Sequence, residues 1–184
     1  MDQYGPDKKI GMIVDEWGCW YTVEPGTNPG FLYQQNTVRD ALVAGITLNI
    51  FNKHCDRVKM ANLAQMVNVL QSVILTEGPK MIKTPTYHVF HMYRHHQGAT
   101  LLSSTLTGVG ETGIGEWKVP EVTESVSEDA EHIITVTLNN LSADEEKEIE
   151  IAFAGDEHVY SVKEAKVVSA EMHAHNTFDV PELV

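Results

Sequence analysis

The sequence predicts two structural units of different class, an α/β unit followed by an antiparallel all-β unit. In the first half of the chain the apolar residues form long unbroken stretches, whereas in the second half they form short alternating runs separated by acidic turns. The charge changes as well: basic and acidic side chains balance over residues 1–85, so the whole net charge of −13 arises in the remainder. We therefore divide the chain into residues 1–98 and residues 99–184.

The first unit has the pattern of a strand, a helix and a parallel strand. Residues 10–14 are a short unbroken apolar run, which is typical of a strand buried on both faces of a parallel sheet. After a loop rich in Pro and Gly, apolar residues recur at close to helical spacing and predict a helix from about Tyr33 to His54. The next strand is predicted over residues 57–65, which completes the parallel unit. A second helix is expected over residues 85–98, because a capping Thr precedes a Pro at its start and a Gly closes its end.

The second unit has the pattern of an antiparallel sheet. Residues 134–138 and 149–153 alternate apolar with polar side chains and predict strands. Strands of this kind pack as a sandwich in which the outer face of each sheet is exposed to solvent. The acidic stretch 121–131 lacks the alternating Asp and central Gly of a calcium-binding EF-hand loop, so we expect a solvated loop there.

The composition restricts the classes of partner. The chain of 184 residues is 42% hydrophobic and has no apolar run near the ~20 residues that cross a bilayer, so we expect no membrane partner. Its negative charge would repel phosphates, which excludes nucleic acid as a partner and favours a neutral substrate. Only Cys19 and Cys55 occur, too few for a disulfide framework or a cysteine zinc cage, and we expect both to be small buried thiols.

The strongest candidate for chemistry is Glu16. It follows the first apolar strand and so lies at its carboxyl end, where α/β folds place catalytic groups. We expect Trp17, Trp20 and Tyr21 to crowd around this carboxylate, and aromatic faces beside a carboxylate suit a sugar ring. On spacing alone, the alternative that Glu16 caps the next loop and that the tryptophans belong to the core is favoured. Asp15 is a poor catalytic partner, because adjacent strand residues point to opposite faces.

Histidines on the second predicted helix raise the question of a metal site. Three of them, His88, His91 and His95, share one face, and the last two have the i, i+4 spacing of a zinc pair. No Glu lies between these two in the manner of a metalloprotease helix, and no third ligand follows. We therefore expect hydrogen-bonded or exposed histidines on an aromatic helix side and predict no metal site.

Four blocks of the sequence resemble one known enzyme family. They are Asp15-Glu-Trp-Gly-Cys-Trp-Tyr21, Asp40-Ala-Leu-Val-Ala-Gly45, His54-Cys-Asp-Arg-Val-Lys-Met-Ala-Asn-Leu-Ala-Gln65 with Val67-Asn-Val69, and Ala174-His-Asn-Thr-Phe178. Block by block and in the same order, the chain is similar to the C-terminal half of the α-L-arabinofuranosidases of glycoside hydrolase family 51. The blocks span nearly the whole chain.

The resemblance implies a fold and a reaction. The fold is a (β/α)8 barrel, of which this chain holds the last two βα units, followed by a jelly-roll-like β-sandwich. The reaction is a retaining double displacement that removes arabinofuranosyl groups from arabinan or arabinoxylan, without metal or organic cofactor, in enzymes that often form homo-oligomers. By this resemblance Glu16 is the nucleophile at the end of barrel strand seven, Gln65 contacts the arabinose at the end of strand eight, and Trp20 lines the cleft.

The chain departs from the family pattern in ways that matter for chemistry. The acid/base Glu of the family follows an Asn at the end of strand four, and no Asn-Glu pair occurs in this sequence. Gly18 replaces an Asn that is common at that position. Because a barrel needs ~200 residues or more to close, we expect an enzyme fragment whose two barrel strands expose edges and apolar faces.

Two other functions remain open. The chain can instead be a non-catalytic carbohydrate-binding or interaction module in which the sandwich does the binding. It can also belong to an endoglucanase, since enzymes that act on β-glucan share the family.

Overall fold

A computed structural model describes residues 2–155 and 158–184 of the chain, and this part is rich in strands with few helices. The strands are β1 (Met12–Trp17), β2 (Val58–Leu63), β3 (Ile74–Glu77), β4 (Lys80–Lys83), β5 (Thr100–Leu102), β6 (Glu111–Ile114), β7 (Trp117–Pro120), β8 (Val122–Glu128) and β9 (Ile134–Asn140). The helices are α1 (Val38–Lys53) and α2 (Pro85–Tyr93), with short 3-10 segments at Pro29–Phe31 and Arg94–His96. Within these residues neither helix is long and apolar enough to cross a membrane.

The predicted strand, helix and parallel strand of the first unit are confirmed. β1 and β2 pair in parallel, and α1 lies between them along the chain. Helix α1 begins at Val38, later than the predicted start near Tyr33. The carboxylate of Asp40 accepts hydrogen bonds from the backbone N–H and the hydroxyl of Thr37, and this capping fixes the first turn at that point.

Residues near the end of the chain complete the first turn of α1. The N–H of Val38 donates to the carbonyl of Ala174 at 3.1 Å, and the N–H of Arg39 donates to the carbonyl of Met172 at 3.0 Å. The first N–H groups of a helix have no partner within the helix. Residues 172–174 therefore supply acceptors that α1 itself lacks.

A hairpin that no pattern in the sequence predicted precedes α2. β3 and β4 pair in antiparallel fashion, and Gly78 in the connecting turn has a φ of +54°, which suits glycine. Helix α2 starts at Pro85 as predicted. It ends at Tyr93 and continues as a 3-10 segment, so the predicted helix is confirmed in position but is shorter than expected.

Helix α1 packs against α2 on one side and against the second unit on the other. Ala41 and Ala44 form a buried cluster with Val89 of α2. On the other side, a Cβ atom placed on Gly45 would lie 2.0 Å from Oδ1 of Asn139 in β9. Only a glycine leaves room for this close approach of the sheet.

The second unit contains one three-stranded antiparallel sheet, in the order β5-β8-β9, and a separate hairpin of β6 and β7. The strand predicted over residues 134–138 is confirmed as part of β9. The strand predicted over residues 149–153 is not observed, since these residues pair with no strand in the described part of the chain. Alternation predicts which faces a strand would present but not which strand would pair with it.

The expectation of a solvated loop over residues 121–131 was wrong. Most of this stretch forms β8, the central strand of the sheet. The carboxylate of Glu124 is buried there, where it accepts hydrogen bonds from the ammonium of Lys53 in α1 and from the hydroxyl of Ser104. The buried negative charge of Glu124 is therefore compensated by Lys53, a residue of a different element. The local sequence alone would predict that this charge is solvated.

The polar face of the sheet packs against the helices. Ser125 of β8 and Thr137 of β9 lie opposite each other in register, and both are buried. Oδ1 of Asn49 in α1 lies 2.8 Å from the Ser125 hydroxyl and 2.9 Å from the Thr137 hydroxyl. The hydroxyl of Tyr93 in α2 donates to the same Oδ1 at 2.8 Å. The face of these strands that carries the small polar residues is thus buried, whereas Leu138 on the opposite face is 41% exposed.

The two cysteines differ in exposure. Cys19 is half-buried, but Cys55 is exposed, so the expectation of two buried thiols is wrong for Cys55. Cys55 lies in the turn that follows α1, where the chain runs over the surface.

His96 joins the end of the helical layer to the polar face of the sheet. Its Nδ1 lies 2.8 Å from the Ser127 hydroxyl and its Nε2 lies 3.1 Å from the Thr137 hydroxyl. The ring also packs against that of Tyr93, with 5.5 Å between centroids. Burial lowers the pKa of His96 to about 4, and the neighbouring His95 contributes in the same direction.

We expect the free energy of unfolding of the 184-residue chain to decrease as the pH falls from about 6.5 to about 4. An unfolded histidine binds a proton near pH 6.5, whereas folded His96 stays neutral to about pH 4, so protons favour the unfolded state in this window. Urea unfolding across this range should show a smaller pH slope in His96→Gln than in the parent. The exposed His173, far from His96 in the sequence, provides the control, because His173→Gln should keep the parent slope. Equal slopes in the parent and in His96→Gln would contradict the expectation.

Candidate active site

Glu16 lies near the carboxyl end of β1, beside an irregularity in strand pairing. Val14 pairs with Ala61 and Trp17 pairs with Leu63, so β1 uses one residue more than β2 over the same stretch. This extra residue makes a β-bulge in the stretch that carries Glu16, and bulges beside active sites redirect side chains. The side chain of Glu16 is on the exposed part of the strand.

Trp17 does not crowd around Glu16, contrary to the expectation. Its ring meets Phe51 of α1 edge-on at a centroid distance of 5.5 Å and stacks with Phe90 of α2 at 6.0 Å. Trp17 thus belongs to the core between β1 and the helices. Glu16, the residue before it, is exposed and is not part of this core.

Gln65 follows β2 at the same edge as Glu16. The N–H of Ala64 donates to the carbonyl of Trp17 at 2.9 Å, so the hydrogen bonding between strands β1 and β2 continues one residue beyond the end of β2. The peptide bond between Ala64 and Gln65 is cis, and the side chain of Gln65 is exposed. The ends of parallel strands meet at one edge, so the sheet brings Glu16 and Gln65 to the same side of the molecule.

Trp20 lies in the segment that leaves β1 at this edge, and its side chain is 69% exposed. The backbone on both sides of Trp20 is held by the buried amide of Gln34, which donates to the carbonyl of Cys19 at 3.1 Å and accepts from the N–H of Tyr21 at 2.8 Å. The indole is therefore presented to solvent by a fixed backbone.

Tyr21 packs on α1. The guanidinium carbon of Arg39 lies 3.7 Å from the centre of the Tyr21 ring. Burial, followed by a hydrogen bond with Cys19, raises the pKa of the Tyr21 hydroxyl above its ordinary value. The phenol is therefore neutral and helps to attach the segment to α1.

Two buried glutamines that were not predicted, Gln34 and Gln71, support this edge. Neither lies in a helix or a strand, so no periodic pattern identifies them. The available signal was the polar pair Gln71-Ser72, which interrupts an otherwise apolar stretch.

The predicted histidine cluster does not form a metal centre in the structure. His91 stacks on Tyr87 at 6.0 Å and His88 meets the same ring edge-on at 5.5 Å. Burial and the nearby Lys83 lower the pKa of His88. Among residues 2–155 and 158–184, no group of three or more His, Cys, Asp or Glu side chains is arranged to hold a metal ion.

One edge of the parallel pair thus carries an exposed carboxylate, an exposed amide and an exposed indole. An indole face stacks on the C–H face of a sugar, an amide exchanges hydrogen bonds with hydroxyls, and a carboxylate can act at an acetal carbon. Glu16, Gln65 and Trp20 are thus exposed groups of the types that can contact a sugar.

Comparison with known proteins identifies the family. The family model for the α-L-arabinofuranosidase C-terminal domain matches residues 15–184. The chain belongs to this family, and the resemblance to the C-terminal part of the family 51 enzymes is confirmed.

The relatives are longer than this chain. An intracellular exo-α-L-arabinofuranosidase of Bacteroides ovatus is 45% identical over 184 residues, which are 100% of this chain and 36% of the relative. An intracellular exo-α-(1→5)-L-arabinofuranosidase of Streptomyces lividans is 30% identical over 96% of this chain and 28% of its own length. The crystal structure of the GH51 arabinofuranosidase from Xanthomonas axonopodis pv. citri matches with a TM-score of 0.81 and 39% identity, over 99% of this chain and 36% of that one. The chain thus spans about a third of the length of these relatives.

Proposed function

We propose that residues 1–184 are the C-terminal part of a retaining α-L-arabinofuranosidase that releases terminal arabinofuranosyl groups from arabinan or arabinoxylan. The observation that carries the proposal is the position of Glu16, an exposed carboxylate in a β-bulge at the carboxyl end of a parallel strand. The name of the Bacteroides ovatus relative, an exo-α-L-arabinofuranosidase, supports the release of terminal arabinofuranosyl groups.

In this proposal Glu16 is the nucleophile. Its carboxylate attacks the anomeric carbon, the bond from that carbon to the leaving oxygen breaks, and a general acid protonates the leaving oxygen. Water, which gives a proton to the conjugate base of that general acid, then attacks the covalent arabinosyl ester. This step frees the sugar with retained configuration and restores the Glu16 carboxylate. The sequence contains no Asn-Glu pair, and we place the general acid in the part of the longer relatives that this chain does not span.

Gln65 and Trp20 are assigned to substrate binding. The Gln65 amide can donate to and accept from the sugar hydroxyls, and the exposed Trp20 indole offers a stacking surface at the rim of the site. The reaction needs water as second substrate and no metal or organic cofactor.

The proposed architecture makes β1 and β2 the last two strands of a (β/α)8 barrel, with residues 1–98 in the barrel and residues 99–184 in a β-sandwich. Ile13 of β1 is 57% exposed and Met60 of β2 is 53% exposed. Apolar strand residues at this level of exposure fit contact with further barrel strands. The complete enzyme is expected to be a homo-oligomer.

A chimera tests the proposed function. Residues 1–184 replace the matching 36% of the Bacteroides ovatus relative, and the product is assayed with an aryl α-L-arabinofuranoside, arabinan and arabinoxylan. We expect hydrolysis of these substrates at a rate close to that of the relative itself, with NMR showing arabinose released in the retained configuration. Hydrolysis of β-glucan alone would select the endoglucanase instead. Binding of arabinoxylan without hydrolysis of any substrate would select the carbohydrate-binding module.

A further inference from the structure

The segment Gly18–Tyr21 connects the proposed nucleophile to the exposed indole, and a second buried glutamine, in addition to Gln34, holds its backbone. Oε1 of Gln71 accepts a hydrogen bond from the N–H of Cys19 at 2.9 Å. The side chain of Gln71 is fully buried, with 0% of its surface exposed. Gln71 therefore cannot touch a substrate, but it contacts the backbone three residues beyond Glu16.

The other end of the Gln71 amide is attached to both helices. Nε2 donates to the carbonyl of Asp40 in the first turn of α1 at 2.7 Å. It also lies 3.3 Å from the hydroxyl of Thr86 in the first turn of α2. One amide group thus ties the segment after β1 to the amino ends of two helices, and all of its hydrogen-bonding groups are used.

Both attachment points are themselves immobilised. The Asp40 carboxylate is buried and caps α1 through Thr37, and residues 172–174 close the same helical turn. Thr86 is buried in the turn that begins with Pro85. A hydrogen bond to such fixed groups determines position, whereas a bond to a mobile side chain would not.

The backbone at Gly18 is adapted to this contact. Gly18 has a φ of +136°, and a Cβ atom there would lie 3.1 Å from Oε1 of Gln71 and 3.4 Å from Cδ1 of Leu63. The absence of a side chain therefore lets the segment approach the amide of Gln71 closely. This contact also gives a structural reason for the glycine at a position where the family often has Asn.

We propose that Gln71 is a positioning residue for the reaction at Glu16, acting through the backbone of residues 18–21. This inference rests on the proposed function of Glu16. Without an acceptor, the Cys19 N–H would have to move to find another partner, and the segment would carry Trp20 and the end of β1 with it. A displacement of about 1 Å at reacting groups lowers rates by about 10²-fold, so the effect should appear in kcat.

The test uses the chimera and the near-isosteric variant Gln71→Met. We expect kcat to fall about 10- to 100-fold and KM to rise less, because Gln65 is not part of the displaced segment and the Trp20 indole, although displaced, is retained. The control is Thr137→Val, which removes hydrogen bonds from the buried network between α1 and the sheet without touching the segment. It should lower the thermal unfolding temperature and leave kcat at the parent value. A fall in kcat that follows the loss of stability equally in both variants would overturn the inference.

Gln71→Glu adds a pH profile that a purely structural role does not produce. A protonated carboxyl can still accept from Cys19 and donate to Asp40, and burial raises the pKa of a carboxyl. The variant should therefore approach parent activity at low pH and lose it as the pH rises, along a limb that the parent lacks. If Gln71→Met does not fold, the absence of this limb in Gln71→Glu overturns the inference.

The outcomes separate this inference from the proposed function. If Glu16→Gln keeps parent activity, the proposed function fails and the role of Gln71 fails with it. If Glu16→Gln is inactive while Gln71→Met has parent kinetics, the function stands and only the inference about Gln71 is wrong.

Discussion

Replacing Glu16 by Gln is expected to lower kcat/KM of the chimera on an aryl α-L-arabinofuranoside by at least ~10³-fold, the size of effect seen when an essential catalytic group is removed. An amide has nearly the volume of the carboxylate but cannot form the glycosyl ester. Glu16 is exposed in the described structure, so the substitution should leave the fold unchanged. Steady-state kinetics, with circular dichroism to confirm folding, provides the measurement.

Asp15 offers a matched control for this experiment. It is the preceding residue of β1 and is also exposed, so Asp15→Asn removes the same charge at nearly the same place. Its kcat/KM should stay near the parent value. Similar losses in the two variants would mean that local charge matters and that Glu16 has no covalent role.

A chemical rescue distinguishes a missing nucleophile from a disturbed site. In Glu16→Gly, azide can enter the space of the lost carboxylate and attack the anomeric carbon, forming an arabinofuranosyl azide as the aryl group leaves. We expect azide to restore turnover in Glu16→Gly and to have no effect on the parent. Failure of azide to produce the glycosyl azide would argue against the assignment of the nucleophile.

Asn49→Ala is expected to lower the free energy of unfolding of the 184-residue chain by about 3 kcal/mol. The side chain is 1% exposed, and its Oδ1 lies within hydrogen-bond distance of hydroxyls from α2, β8 and β9. Truncation leaves these hydroxyls buried without that acceptor and also opens a small cavity. Urea unfolding provides the measurement, and Asn62→Ala on the exposed part of β2 should change stability by less than about 0.5 kcal/mol.

A double-mutant cycle tests whether this network acts as a unit. Tyr93→Phe removes one hydroxyl that donates to Asn49 and should cost about 1 kcal/mol. Because the two residues are in direct contact, the double variant should be less destabilised than the sum of the single variants. Strict additivity, or an Asn49→Ala variant as stable as Asn62→Ala, would contradict the picture of a shared network between the helices and the sheet.

Much of the first unit could be predicted from the sequence, because the patterns that define its strands and helix lie within short stretches of the chain. Unbroken apolar runs indicate β1 and β2, helical spacing indicates α1, and the end of β1 locates Glu16. The bulge around Glu16 could not be predicted, because it is defined by the register of β1 against β2. Spacing in the sequence favoured a core position for the tryptophans, and Trp17 does pack in the core, whereas Trp20 is exposed.

The errors in the second unit share one physical cause, which is that partners distant in sequence decide burial. From the sequence, Glu124 was predicted to lie in a solvated acidic loop, but in the structure it is buried beside Lys53 of α1. The alternating pattern of β9 suggests that Thr137 faces solvent, but in the structure its hydroxyl is buried and donates to Asn49. In both cases the polar group satisfies its hydrogen bonds across an interface that no local pattern describes.

The two carbonyls that close the first turn of α1 also constrain the order of events during synthesis. Val38 and Arg39 leave the ribosome roughly 135 residues before Ala174 and Met172, an interval on the order of ten seconds at ordinary elongation rates. During that interval the nascent helix lacks the acceptors that finish its amino end, and the Gln71 contact depends on the same turn. The edge that carries the proposed nucleophile therefore reaches its final structure late. Pausing of translation within residues 100–170 should prolong exposure of this incomplete edge to chaperones and proteases without altering the finished protein.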